Sequence, residues 1–139
     1  MPFVKIDNTE FEVPKAKTVL EVALDNDIEI PHYCYHPALE IAGSCRMCLV
    51  QIEGMPKLQV SCNTFISEAP PERKVDGKYD MVVHTQNELV TQERKNILEF
   101  LLLNHPLDCP VCDQAGECYL QDYSFKFGNA HSRFDEEKR

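Results

Sequence analysis

Long apolar runs are missing from this 139-residue sequence. The longest run of apolar residues is Leu101–Leu103, with Phe100 before it, and this is far too short to cross a bilayer. The amino-terminal residues also lack the basic and apolar regions of a signal peptide and the Arg- and Ser-rich composition of a transit peptide. We therefore expect no direct membrane insertion and a location in the reducing cytosol.

Basic residues are also scarce. The 14 Lys and Arg residues are outnumbered by 23 Asp and Glu residues, and the formal net charge is −9. Since no basic stripe is present to neutralise phosphates, the composition argues against a nucleic-acid partner and against unaided binding to anionic lipid. We expect the charged residues to form an ordinary solvated surface.

Signatures of substrate chemistry are missing too. The sequence has no glycine-rich nucleotide loop of the G-x-G-x-x-G kind and no pattern that places a nucleophile beside a base. We therefore expect this chain alone to have no substrate-level active site, whatever larger reaction it contributes to.

Hydrophobic periodicity predicts a small mixed α+β unit over residues 1–84. Residues 3–14 alternate in polarity around a turn at Asp7–Thr9 and indicate a β-hairpin. Thr18 and Glu21 have the spacing of a capping box, which predicts the start of a helix. The residues of that helix expected to face inward are Leu20, Ala23 and Leu24. Further strands are expected at residues 49–52, 58–62 and 81–83, and together they fit a five-stranded sheet wrapped on one helix.

Residues 85–139 predict a helical appendage. Thr85 and Glu88 have the spacing of a second capping box, and the long helix after it is expected to end at Asn104 and Pro106. Its apolar face is expected to contain Ile97, Leu98, Leu101 and Leu102. Residues 119–127 indicate a short helix that is stopped by Gly128.

Seven cysteines are the most informative feature of the composition. An odd number cannot close into internal disulfides alone, and a reducing compartment favours metal ligands or catalytic thiols. A thiol redox enzyme would use one C-x2-C pair and leave five cysteines without a purpose. The cysteine content therefore favours metal centres.

The first cysteine group consists of Cys34, Cys45, Cys48 and Cys62. Its C-x2-C pair can reach one metal centre while the backbone between the two thiolates turns its N–H groups toward sulfur. The small residues Gly43 and Ser44 before the pair let the loop approach a cluster closely. One short pair with two distant single ligands is closer to plant-type [2Fe–2S] spacing than to the two short pairs of a structural zinc site, although four thiolates can also hold Zn²⁺.

The second group consists of His105, Cys109, Cys112 and Cys118. Only three thiolates are available in this stretch, whereas a [4Fe–4S] cluster takes four ligands. Imidazole replaces thiolate on iron in Rieske centres, so His105 is a candidate fourth ligand. Two alternatives remain open, namely a helix-end histidine that interacts with the helix dipole and a Cys₃His zinc site.

The remaining histidines have weaker claims to a ligand role. His36 lies inside the first cysteine loop, but four thiolates already complete that site, so we expect a supporting or surface position for it. No ligand set lies near the other three histidines in the sequence, which are His32, His84 and His131.

Both ligand groups lie in a pattern that is similar to a known family. The spacing from Cys34 to Cys48, followed by the stretch His105–Asp122 (HPLDCPVCDQAGECYLQD), resembles the N-terminal part of the G subunit of bacterial NADH:quinone oxidoreductase, respiratory complex I. The resemblance covers essentially the whole chain, and its histidine–cysteine stretch is far more specific than a lone C-x2-C. Similar modules occur in [FeFe]-hydrogenases, diaphorase subunits of NAD-reducing hydrogenases and NAD-dependent formate dehydrogenases.

This resemblance implies a β-grasp, ferredoxin-like domain over residues 1–84 and a helical His-Cys₃ segment over residues 85–139. It assigns one [2Fe–2S] cluster to the first cysteine group and one [4Fe–4S] cluster, with His105 as a ligand, to the second group. Proteins of that family continue into a further cysteine-rich segment and a large domain resembling molybdopterin oxidoreductases. We therefore expect this chain to be a fragment or a short form.

The implied function is an electron relay from an NADH-oxidising flavin subunit toward quinone. Its expected partners are the flavin- and iron–sulfur-containing NADH-oxidising subunits of a larger complex, at the inner face of the bacterial inner membrane. One alternative is the electron-input module of an NAD-linked or [FeFe] hydrogenase or of a formate dehydrogenase. Another is a zinc-stabilised interaction module without a redox role.

Overall fold

The computed structural model describes residues 2–13, 17–105 and 108–129. The chain divides into two compact units, Met1–Val90 and Thr91–Arg139. A mixed sheet in the first unit, together with several helices, gives the α+β class predicted from the sequence. Within the described residues, no helix is long and apolar enough to span a bilayer. The predicted division into one cluster-binding domain over residues 1–84 and another over residues 85–139 stays a prediction.

A five-stranded sheet organises the first unit. In chain order, its strands are β1 (Phe3–Ile6), β2 (Thr9–Glu12), β3 (Leu49–Ile52), β4 (Gln59–Val60) and β5 (Met81–His84). The order across the sheet is β2-β1-β5-β3-β4, with β1 and β5 parallel and the other neighbours antiparallel. The strand expected over residues 58–62 is shorter than predicted, because Ser61–Asn63 form a 3₁₀ helix.

The hairpin of β1 and β2 confirms the prediction for the first strands. Ile6 pairs with Thr9, so the connecting turn contains only Asp7 and its neighbour Asn8. Asp7 has a φ of 54°, a left-handed conformation that aspartate tolerates better than most residues. Val4 and Ile6 are fully buried, and the residue between them is not, which is the alternation of a strand with one face in the core.

Helix α1 (Val19–Asp25) begins with the predicted capping box. Thr18 Oγ1 accepts a hydrogen bond from the N–H of Glu21, and Glu21 Oε2 accepts one from the N–H of Thr18. The buried residues of the helix are Val19, Leu20, Val22 and Ala23. The prediction that Leu24 faces inward is wrong, because at 100° per residue it lies on the flank of this face and is 38% exposed.

The predicted capping box at Thr85 is also wrong. Helix α2 (Glu88–Leu102) begins after Asn87, whose Oδ1 accepts a hydrogen bond from the N–H of Val90 at 2.9 Å. Thr85 instead donates its N–H and its hydroxyl to the carboxylate of Asp7 at 2.8 and 2.5 Å. The hairpin carboxylate therefore binds the hydroxyl that the sequence pattern assigned to the helix.

The second unit contains most of α2, a 3₁₀ turn at Cys109–Val111 and helix α3 (Tyr119–Phe127). On α2, Leu98 is fully buried, and the other residues predicted for its apolar face are half-buried. Helix α3 has the predicted bounds, and a Cβ on Gly128 would lie 2.7 Å from the carbonyl oxygen of Ser124, which explains the glycine that stops it. The predicted helix end at Pro106 lies outside the described residues, as does His131.

Candidate metal centres

The first cysteine group is assembled from three segments of the first unit. Cys34 lies in the long connection between α1 and β3, while Cys45 and Cys48 lie just before β3. Cys62 lies on the 3₁₀ helix that follows β4. Cys48 and Cys62 are buried, whereas the other two are half-buried, so the group extends from the core toward the surface.

The electrostatics of the site indicate that these four thiols lie near one another. Cys62 is close enough to Cys48, Cys34 and Cys45 for each of them to raise its pKa. The N–H of Met47 donates to Cys45 Sγ at 3.4 Å. The four cysteines that the sequence spacing groups therefore lie near one another, and their role as cluster ligands stays a prediction.

The pKa values of two thiols show how strongly the group is polarised. Burial raises the pKa of Cys34, but hydrogen bonds from the backbone and thiol of Cys45 and from the backbone and hydroxyl of Ser44 outweigh it and lower the pKa to about 7. Burial, followed by the proximity of Cys48, Cys34 and Cys45, raises the pKa of Cys62 to about 12. Four thiolates at this site would repel one another, so full ionisation requires a positively charged centre between them. The donor set therefore fits an iron–sulfur cluster or another thiophilic cation.

The backbone around the C-x2-C pair bends sharply. Gly43 and Arg46 have φ values of 64° and 61°, both in the left-handed region. A Cβ on Gly43 would meet no protein atom within 4 Å, so its backbone conformation alone gives a physical reason for glycine there. This path directs the N–H groups of Ser44, Cys45 and Met47 to sulfur atoms of the group.

Two neighbours of this group were missed in the sequence. Ser61 is buried and donates both its N–H and its hydroxyl to the carbonyl oxygen of Cys48, at 3.1 and 2.7 Å. Tyr35 packs against the core, and its pKa is raised first by burial and then by nearby carboxylates and Cys62. Each is adjacent to a cysteine in the sequence, but adjacency does not reveal which way a side chain points.

The second group lies in the second unit, along the connection from α2 to α3. His105 is exposed after the end of α2, and its N–H donates to the carbonyl of Leu102 at 3.2 Å. Cys109 begins the 3₁₀ turn and accepts a hydrogen bond from the N–H of Cys112 at 3.2 Å, so this C-x2-C pair shares one turn. Cys118 is the residue that precedes α3.

Neither ligand group is arranged to hold a single metal ion in the part of the chain that the structure describes. Across residues 2–13, 17–105 and 108–129, no three His, Cys, Asp or Glu side chains are placed to hold a single metal ion. A [4Fe–4S] cluster needs one ligand at each of four irons rather than several at one point. The chemistry of three thiols and one imidazole fits that requirement, and the ligand assignment stays a prediction.

Other histidines have local partners. His36 is exposed, and its Nδ1 accepts the N–H of Ala38 at 3.1 Å. His84 is paired with Glu53 at 2.9 Å. The ring of His32 meets Tyr35 edge-on, with the centroids 5.7 Å apart. Each of these three histidines therefore has a contact with a residue outside the two ligand groups.

Two protein families match the ranges of the chain that contain the two ligand groups. A family described as a 2Fe-2S iron-sulfur cluster binding domain matches residues 3–69. A second family, described as the NADH-ubiquinone oxidoreductase-G iron-sulfur binding region, matches residues 94–133. The fold and the two matches define an iron–sulfur protein.

Individual relatives indicate which family of iron–sulfur proteins the chain resembles. The chain is 46% identical over 136 residues to the NADH-quinone oxidoreductase G subunit of Rickettsia felis, covering 98% of this chain and 19% of the relative. It is 44% identical over 136 residues to the mitochondrial NADH dehydrogenase [ubiquinone] iron-sulfur protein 1 of Solanum tuberosum, covering 98% and 17%. The chain belongs to the iron–sulfur region of the NADH-quinone oxidoreductase G family and spans about a fifth of the length of such relatives.

A solved structure resembles the chain as a whole. A crystal structure of an NAD⁺-reducing [NiFe]-hydrogenase in the H₂-reduced state matches it with a TM-score of 0.77 and 28% identity. The match covers 99% of this chain and 55% of the hydrogenase chain. A similar fold is therefore present in an NAD⁺-reducing [NiFe]-hydrogenase.

Proposed function

We propose that this chain is an electron relay that holds one [2Fe–2S] and one [4Fe–4S] cluster. The observation that carries the proposal is the meeting of Cys34, Cys45, Cys48 and Cys62, drawn from three segments into one polarised site. When bound, a cluster at such a site supplies one-electron redox chemistry. The protein itself positions the cluster, excludes water from it and donates hydrogen bonds to its sulfur ligands.

The residues of the first unit perform these tasks in distinct ways. Cys48 and Cys62 bind from the buried side, where Ser61 fixes the carbonyl of Cys48. Ser44 and the backbone after Gly43 donate hydrogen bonds from the loop side. The hairpin, helix α1 and the five-stranded sheet support our assignment of residues 1–84 to a β-grasp ferredoxin-like domain.

For residues 85–139, we propose a helical His-Cys₃ segment. His105, Cys109, Cys112 and Cys118 would each bind one iron of a [4Fe–4S] cluster. Two observations support this assignment: the ligands occupy one short connection between two helices, and the match to the family's iron–sulfur binding region covers all four.

Within a complete enzyme, we propose that the chain passes electrons from an NADH-oxidising flavin subunit toward quinone, as part of complex I on the inner face of the bacterial inner membrane. The names and identities of the relatives support this assignment. The hydrogenase structure favours a second candidate, the electron-input module of an NAD-linked hydrogenase. In both assignments, the chain receives electrons from a flavin partner, so one experiment tests the shared claim.

That experiment compares the oxidised, cluster-loaded chain alone and mixed with purified flavin-containing NADH-oxidising subunits. NADH should reduce the clusters of this chain only in the mixture, with bleaching of visible absorption and the appearance of its EPR signals. The matched control is the same mixture with the chain stripped of iron by a chelator. Direct oxidation of NADH by the chain alone, or a colourless zinc-containing chain, would refute the relay.

A further inference from the structure

A side chain of helix α3 contacts the loop between Cys112 and Cys118. Within this loop, the N–H of Ala115 donates to the carbonyl of Cys112 at 3.1 Å, and Gly116 has a φ of 84°. That left-handed conformation favours glycine. The N–H of Gly116 then meets Gln121 of α3, whose Oε1 accepts it at 3.2 Å.

Helix α3, which contacts this loop, makes several aromatic contacts. Tyr119, Tyr123 and Phe127 form a column of rings along it, with successive centroids 6.2 and 5.7 Å apart. Arg94 of α2 is 2% exposed and places its guanidinium 5.5 Å from the ring of Phe127. Since α2 leads to His105 and α3 follows Cys118, these two helices hold both ends of the second ligand group.

The start of α3 does not use the thiol of Cys118 as a cap. The carbonyl of Cys118 accepts the N–H of Asp122 at 3.0 Å, but its side chain makes no capping hydrogen bond. Gln121 occupies the third position of the helix, from which a capping-box side chain normally reaches back to the N-cap backbone. Here it reaches two residues further, to Gly116, and so fixes the loop rather than the helix end.

We propose that Gln121 is a positioning residue for the second iron–sulfur centre. By accepting the N–H of Gly116, its amide oxygen sets the path of the Cys112–Cys118 loop and thereby the position from which the Cys118 thiol is presented. The inference rests on the proposed function, because it takes both cysteines to be ligands. It requires an acceptor oxygen at this position, which glutamate also supplies and methionine does not.

The experiment uses the full cluster-loaded chain and three variants. Gln121→Met removes the acceptor at similar length, and Gln121→Glu keeps it. Gln114→Met makes the same chemical change at an exposed residue of the same loop. Two readouts are compared under anaerobic conditions: the rate at which a chelator removes iron from the [4Fe–4S] site, and the line shape of its EPR signal. The [2Fe–2S] signal of each sample reports on overall folding.

Loss of one hydrogen bond predicts roughly fivefold faster iron loss and a broadened [4Fe–4S] signal in Gln121→Met. Gln121→Glu and Gln114→Met should retain the wild-type rate and line shape. If Gln121→Met and Gln114→Met behave alike, the inference about Gln121 is overturned but the proposed function is not. A defect in Gln121→Glu as large as that in Gln121→Met has the same consequence. If Gln121→Met does not fold, Gly116→Ala, which strains only the backbone, should show the same selective effect on the [4Fe–4S] site, and a wild-type rate overturns the inference. A wild-type chain without a [4Fe–4S] signal overturns the proposed function as well.

Discussion

Asp80 joins three segments of the first unit through its carboxylate. Its Oδ2 accepts the N–H of Phe3 at 2.8 Å, its Oδ1 accepts the N–H of Ala69 at 2.9 Å, and Lys74 Nζ lies 3.5 Å from Oδ1. The Asp80 side chain is 3% exposed, whereas that of Lys74 is 32% exposed. The two backbone hydrogen bonds should therefore dominate, because a partly exposed ion pair contributes little.

Replacing Asp80 with Ala should destabilise this junction by about 2 to 3 kcal/mol, since each hydrogen bond to a charged group contributes roughly 1.5 kcal/mol or more and water replaces part of each. Asp80→Asn should also be destabilised, because its amide can accept at only one of the two sites. Glu72→Ala, at an exposed carboxylate on the same connection, should change stability by less than about 0.5 kcal/mol.

Hydrogen exchange followed by mass spectrometry measures this loss of stability without denaturing the protein or releasing its clusters. Peptides that contain the amides of Phe3 and Ala69 should exchange roughly 30- to 160-fold faster in Asp80→Ala, because a tenfold change corresponds to about 1.4 kcal/mol. Unchanged protection in both peptides would refute the assignment of Asp80 as the junction.

The dependence of this effect on pH has a definite sign. Burial raises the pKa of Asp80, but hydrogen bonds from Phe3 and Ala69 and the charge of Lys74 outweigh it, so the folded-state pKa is lower than that of an ordinary aspartate. A lowered pKa gives stability that is present above the unfolded-state pKa and lost as the pH falls through the folded-state pKa. The stability difference between wild type and Asp80→Asn should therefore be largest near neutral pH and shrink in acid.

Three further predictions concern the clusters and the first helix. Cys45→Ser should remove the [2Fe–2S] EPR signal and retain the [4Fe–4S] signal, and loss of both would contradict separate ligand sets. His105→Cys should retain the [4Fe–4S] cluster and lower its potential in a redox titration, because a fourth thiolate adds negative charge; an unchanged potential, or no ¹⁵N-histidine coupling in the wild type, would rule out ligation by His105. Thr18→Ala should reduce stability by about 1 kcal/mol in thermal unfolding, because the reciprocal capping bonds with Glu21 are lost, whereas an unchanged midpoint would contradict this.

Sequence patterns predicted the ends of helices correctly where residues close in sequence make the contacts at those ends. Thr18 and Glu21 lie three residues apart and cap α1 as predicted, and Gly128 stops α3 where expected. Thr85 has an equally good local pattern, but Asp7, 78 residues away, binds its hydroxyl. A long-range charge-assisted hydrogen bond thus overrides a neutral local one, and no pattern within one segment can reveal it.

The candidate metal centres also contain some features that the sequence indicated and others that it did not reveal. Cysteine spacing grouped Cys34 with the other three thiols of the first group, and the fold places them near one another, while their role as cluster ligands stays a prediction. The spacing did not reveal Ser61 or Gln121, because serine and glutamine have many uses and their roles depend on which backbone group they meet. Supporting residues of a site are therefore visible only in the structure.

Iron and sulfide analysis combined with EPR of the anaerobically purified chain tests the central claim most directly. The account predicts about six iron and six acid-labile sulfide per chain, two and four of each from the two clusters, and two distinct signals after reduction. Zinc in place of iron, with no sulfide and no EPR signal, would contradict it.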